Sequence, residues 1–164
     1  MIKSVLIINN HGSPRLVKFY SPLPQTTTPT LYISKTFASV ASRPDSFCNY
    51  LLNSSSSSST EKIIYRHYAT LYFIFIVDSN ESDLGILDLI QVFVESLDKL
   101  FGNVCELDLI FHSDKVHYVM DEIVMGGMVA ETNINSVMEA QECMNGMHKR
   151  SVEVVKGDYV DYRR

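Results

Sequence analysis

Apolar residues recur along this chain in two different rhythms. Residues 2–8, with the apolar run Val5 to Ile8, have strand length and are closed by the polar turn Asn9-Asn10-His11-Gly12-Ser13-Pro14. Residues 15–20 then mix apolar with polar or cationic side chains over a similar length, so the two segments predict a β-hairpin. A Pro/Thr-rich connection over 21–29 leads into a stretch with Leu31, Phe37, Val40 and Ala41 on or near one face, which predicts a short helix ending before Pro44. The serine run at 54–59 offers no apolar surface to offset the entropy of ordering it, and predicts a loop insertion. Segments 63–68 and 71–78 are rich in aromatic and β-branched residues and predict a second pair of strands, the later one apolar on both faces.

From Asp83 the period becomes helical. Leu84, Leu87, Ile90, Val94, Leu97 and Phe101 form one stripe, Ile86, Leu89, Phe93 and Leu100 another, and Gly102 is placed to end the helix. Over 104–111, Cys105, Leu107, Leu109 and Phe111 alternate with Glu106 and Asp108, the pattern of a strand with one solvated face and the expected fifth strand. Ser113 can cap a following helix with Val116, Val119, Met120, Ile123 and Val124 at three-and-four spacing, stopped by Gly126-Gly127. A last helix is expected over about residues 136–147. The order β-β-α-β-β-α-β-α-α implies an α+β fold, an antiparallel five-stranded sheet flanked by helices. One domain covers 1–147, with a flexible tail over 148–164.

A helix lying on one face of a sheet needs only one apolar stripe. The second stripe of 83–101 is satisfied either by neighbours within the domain or by a protein partner, and periodicity leaves both open.

Composition narrows the function. The 164 residues are 46% hydrophobic, enough for one real core, and the formal charge of −5 argues against holding nucleic acid or anionic lipid by bulk charge. Cys48, Cys105 and Cys143 are odd in number and lack C-x-x-C spacing, which suits a reducing cytosol and gives neither a disulfide framework nor a zinc site. The longest apolar run, 71–77, is far short of the roughly 20 residues of a membrane-spanning helix. Phosphate-loop, dinucleotide, nucleophile-elbow and zinc-helix motifs are missing from the sequence, and no cofactor or metal is expected. His11 and Ser13 share a turn whose Gly and Pro already account for it, and adjacent residues rarely make a base–nucleophile pair. His67, His112 and His117 make no metal pair, and Glu106 and Asp108 read as a solvated strand face.

Three segments carry a resemblance: Arg66-His67-Tyr68-Ala69-Thr70-Leu71-Tyr72-Phe73, Gly85-Ile86-Leu87-Asp88-Leu89-Ile90-Gln91-Val92-Phe93-Val94-Glu95 and Asn103-Val104-Cys105-Glu106-Leu107-Asp108-Leu109-Ile110-Phe111. They resemble the small (sigma) chains of clathrin adaptors. His67, Gly85 to Gln91 and Met125-Gly126-Gly127-Met128-Val129 are similar to the sigma chains of the type-3 complex in particular. The likeness spans roughly residues 1–133.

What the resemblance implies is a longin-like domain held against a delta-type large subunit, in a heterotetramer with beta and mu chains. Such a complex would act peripherally on Golgi, endosomal and vesicle membranes, sorting cargo toward lysosome or vacuole. It also implies a site for acidic dileucine signals in the cytosolic tails of cargo, lined here by Ala69, Leu71, Val94, Asn103, Val104 and Leu109, with Arg15 supplying a cation. The stripe Ile86, Leu89, Phe93 and Leu100 would then face the large subunit. A hydrolase built on His11 and Ser13, and a free-standing longin module regulating membrane tethering or fusion, are the competing classes.

Overall fold

Alternate residues of the first strand point to opposite sides, and both sides are apolar. The computed structural model describes residues 1–23, 27–44, 48–53 and 61–161, and in it β1 (Ile2–Asn9) buries Val5 and Ile7 on one face and Leu6 and Ile8 on the other. It pairs antiparallel with β2 (Pro14–Phe19) and with β5 (Leu71–Val77). β5 pairs with β4 (Glu61–Tyr68), and β4 with β3 (Tyr50–Asn53). The sheet order is β2-β1-β5-β4-β3, antiparallel throughout, as the fold class required. A strand covered on both faces reads as continuous hydrophobicity, which is why β5 spells Leu-Tyr-Phe-Ile-Phe-Ile-Val.

One face is covered by α1 (Pro29–Ala41), whose Thr28 hydroxyl caps the Leu31 N–H and whose Val40 joins Leu6, Ile8, Ile63, Tyr65, Ile74 and Ile76 in a small core. The other face carries α2 (Asp83–Phe101), α4 (Ser113–Ile123) and the start of α5 (Ile134–Asp161), and holds the larger core. Ser82 caps α2, and Gly102 ends it in the left-handed conformation, φ 63°, with its N–H donating to the Asp98 carbonyl at 2.8 Å. The α5 helix continues beyond Met147, where the periodicity placed its end. The serine insertion at 54–59 lies outside the described residues.

Two expectations are corrected. Residues 104–111 do not form the fifth strand; that place is taken by β3, and Glu106–Phe111 form a short helix, α3. The reason is local: the Asp108 carboxylate accepts the Cys105 N–H at 2.9 Å and turns the chain, a capping interaction that the alternation of apolar residues conceals. The second correction concerns α2. Ile86, Leu89 and Phe93, expected to face a large subunit, are buried at 2%, 3% and 0% exposure inside the domain's own core, while Leu100 is half-buried against it. Phe93 meets Phe73 of β5 edge-on at 6.0 Å. These residues form the sheet-facing stripe, with Ile90 and Leu97, because an α-helix turns its face toward whatever apolar surface the sheet presents.

After α4, β6 (Val124–Met125) and β7 (Met128–Val129) make a small hairpin around Gly126 and Gly127. Gly127, at φ 83°, places its carbonyl 2.8 Å from the Ile2 N–H, and a Cβ there would meet the Ile2 carbonyl oxygen at 2.5 Å. The expected helix stop is thus also a clamp on the beginning of β1.

Candidate functional site

The positions expected to contact a peptide lie on β2, the β4–β5 turn, β5, α2 and the link that follows it, and α3. Ala69 and Thr70 form the two-residue turn from β4 to β5, with Tyr68 paired to Leu71 across it. Ala69 is exposed and held at φ 52°, the left-handed region that L-residues enter at a cost of about 1 kcal/mol. Asn103 is likewise exposed and left-handed, φ 69°, directly after the Gly102 cap; an asparagine tolerates that conformation with less penalty.

The other four expected lining residues are apolar. Leu71 and Leu109 are buried in the larger core, and Val94 and Val104 pack half-buried against it. The Val104 N–H donates to the Asp98 carboxylate at 3.1 Å, fixing the link between α2 and α3. Leu109 is buried, but Leu107, Ile110 and Phe111 on the same short helix are 59%, 43% and 74% exposed. Strand alternation would put Leu107 and Phe111 on one face with Leu109; the helix separates them, burying Leu109 and leaving Leu107, Ile110 and Phe111 exposed.

Arg15 stands at the edge of this surface on β2 and is half-buried. Its Nε and Nη2 both approach Glu106 Oε1, at 2.9 and 2.8 Å. The Asn9 amide donates to the same oxygen at 3.0 Å, and the Thr70 hydroxyl donates to Glu106 Oε2 at 3.3 Å. One carboxylate therefore ties together β1, β2, the β4–β5 turn and α3. The Arg15 guanidinium, followed by the Asn9 amide, holds the Glu106 carboxyl below the usual glutamate range. The Cys105 N–H does the same for Asp108.

Glu106 and Asp108 are thus not a shared solvated strand face. Sequence reading missed the role of Glu106, although a signal for the helix start was present: an acid at 106, and another at 108 in capping-box spacing from Cys105. The turn containing His11 and Ser13 has a structural explanation. Asn9 Oδ1 accepts the N–H groups of His11 and Ser13 at 3.0 and 2.8 Å, which leaves the Asn9 amide nitrogen to reach Glu106. His67 stacks on Tyr72 at 4.1 Å, and His112 on Phe101 at 5.8 Å, so each is engaged as a flat ring.

An antiparallel five-stranded sheet with helices on both faces is the architecture of an adaptor small chain. The protein belongs to the clathrin adaptor complex small chain family, whose model matches residues 1–148. Among its relatives, the human (Homo sapiens) protein called AP-3 complex subunit sigma-2 is 57% identical over 150 residues, covering 91% of this chain and 77% of that protein. The Dictyostelium discoideum AP-3 complex subunit sigma is 54% identical over 160 residues, covering 96% and 93%. A chain from a structure described as a homology model of the full-length AP-3 complex in a stretched open conformation matches with TM-score 0.69 and 40% identity, over 93% of this chain and 98% of that one.

Proposed function

We propose that this chain is the sigma-type small subunit of an AP-3-like adaptor complex, pairing with a delta-type large subunit beside beta and mu chains. In this reading it contributes one half of a site for acidic dileucine signals in cargo tails. The observation that supports the site is the polar junction just described: Glu106 holds both Arg15 and Thr70, the neighbour of Ala69, while Leu71, Val94, Val104 and Leu109 lie in or against one core. The small Ala69 side chain leaves room above the apolar residues, Asn103 offers an amide to an extended peptide backbone, and Arg15 offers a planar fork to a carboxylate. Uncovered apolar side chains on α3 support assembly with a further chain, because a domain at rest on its own has no use for them.

Magnitudes favour weak capture. Two buried leucines contribute roughly 1.5–3 kcal/mol each and a half-exposed ion pair at most about 1 kcal/mol, so after ordering costs the affinity is no better than roughly micromolar. Sorting would then rely on several such contacts at one membrane, and the chain itself works peripherally on Golgi, endosomal and vesicle membranes. The reading assigns it no catalysis.

The test is co-expression with the delta-type large subunit, followed by titration of the purified complex with a fluorescent acidic dileucine peptide and a diserine control. Wild type should discriminate the two, and Val104→Asp should lose at least tenfold in binding while still co-purifying. Equal binding of both peptides, or indifference to Val104→Asp, refutes the assigned site.

A further inference from the structure

The cation expected to read the acidic residue of a cargo signal already has a carboxylate in its grip. The Nε–Nη2 edge of Arg15, the edge a side chain carboxylate would take, is closed on Glu106 Oε1 at 2.9 and 2.8 Å. Asn9 and Thr70 complete the hold on Glu106, one on each oxygen. Arg15 and Glu106 are each about three-quarters shielded, at 23% and 26% side-chain exposure, so the pair is neither a loose surface contact nor sealed from a ligand.

We propose that Glu106 is an intramolecular competitor for Arg15, a built-in stand-in for the cargo carboxylate that sets how strongly this site rewards an acidic signal. This rests on the dileucine reading above and adds to it a specificity residue from the chain itself. Two features make the hold displaceable. Both side chains keep about a quarter of their surface exposed, so a ligand can reach the pair. Asn9 is anchored through its own oxygen to the His11 and Ser13 N–H groups, so its amide stays in place whether or not the arginine swings out. An incoming carboxylate therefore exchanges one charge-assisted pair for another, and its net gain is small. With Glu106 changed to glutamine the guanidinium has at most a neutral acceptor there, and the same cargo carboxylate gains most of the charge-assisted pair.

The experiment uses the complex of the full chain with its large subunit and three peptides: an acidic dileucine sequence, its glutamine counterpart and a diserine control. The reading is the ratio of affinities, acidic over glutamine. Glu106→Gln should raise that ratio about three- to tenfold, and Thr70→Val, which loosens the hold without touching the charge, should raise it by less. Combining Glu106→Gln with Arg15→Gln should abolish the gain. A ratio unchanged or lowered in Glu106→Gln, with wild type still separating leucine from serine peptides, overturns the competitor role alone. Failure of wild type to separate those two peptides overturns the dileucine site and this inference together. If Glu106→Gln fails to assemble, the Thr70→Val ratio decides: a rise supports the competitor, no change overturns it.

Discussion

Helices α3 and α4 are separated only by His112, and they use their apolar residues in opposite ways. α4 turns Val116, Val119, Met120 and Ile123 into the core, all nearly fully buried. α3 buries Leu109 alone and leaves Leu107, Ile110 and Phe111 in the open. Length explains part of this, since six residues make fewer than two turns and cannot lay a full stripe on a sheet. The rest is anchoring: α4 is held by packing, whereas α3 is held at its first turn by polar contacts from Glu106 and Asp108. The lesson is that one helix spends its hydrophobicity on stability and the other keeps it available.

Substitutions by aspartate should break the molecule on one side and spare it on the other. Ile123→Asp puts an unpaired charge into a fully buried position and should cost more than about 3 kcal/mol, enough to abolish soluble folded protein. Phe111→Asp should shift stability by no more than about 0.5 kcal/mol, and thermal melts of both variants measure the contrast. Similar losses from the two would end the comparison.

Next in size is the clamp that follows α4. Gly127→Ala sets a Cβ at 2.5 Å from the Ile2 carbonyl oxygen at a positive φ, and should destabilise by about 1–3 kcal/mol in chemical denaturation. Beside α3, Ala69→Gly relieves a left-handed alanine. The gain, partly offset by the greater freedom of glycine in the unfolded chain, should be about 0.5 kcal/mol of added stability in the same assay.

The smallest effect separates the helices by pH. Burial first, then the nearby Lys18 charge, holds His117 of α4 below the ordinary histidine range, with Asp121 opposing. Its neutral form is favoured in the folded chain, so the unfolded chain binds more protons as pH falls from about 6.5, and stability should decline gently there. Glu106 of α3 is also shifted down, but for an acid that favours the charged form. It stays ionised and paired until pH falls below the ordinary glutamate range, so its contribution is intact over that window. Melting temperatures between about pH 7.5 and pH 5.5 should fall shallowly in wild type and flatten in His117→Asn; a slope unchanged by that substitution would remove histidine from the account.

Much of this was legible in advance because periodicity reports burial directly. The doubly apolar β5, the β1–β2 hairpin, the span of α2 and its Gly102 stop, and the family-bearing segments around Ala69 and Asn103 all follow from residues close together in the chain. What the sequence could not decide was anything that depends on a distant neighbour. Residues 106–111 are a separate, local case: Leu107, Leu109 and Phe111 fit a strand template, and the contact of Asp108 with Cys105 tips the segment into a helix. Two stripes on α2 look equivalent until the sheet selects Ile86, Leu89 and Phe93 for the core. The same holds for Arg15 and Glu106, 91 residues apart, whose pairing is a matter of sheet register and helix placement. Local pattern encodes how much surface each segment must hide; tertiary packing alone determines which segment hides it, and which charge meets which.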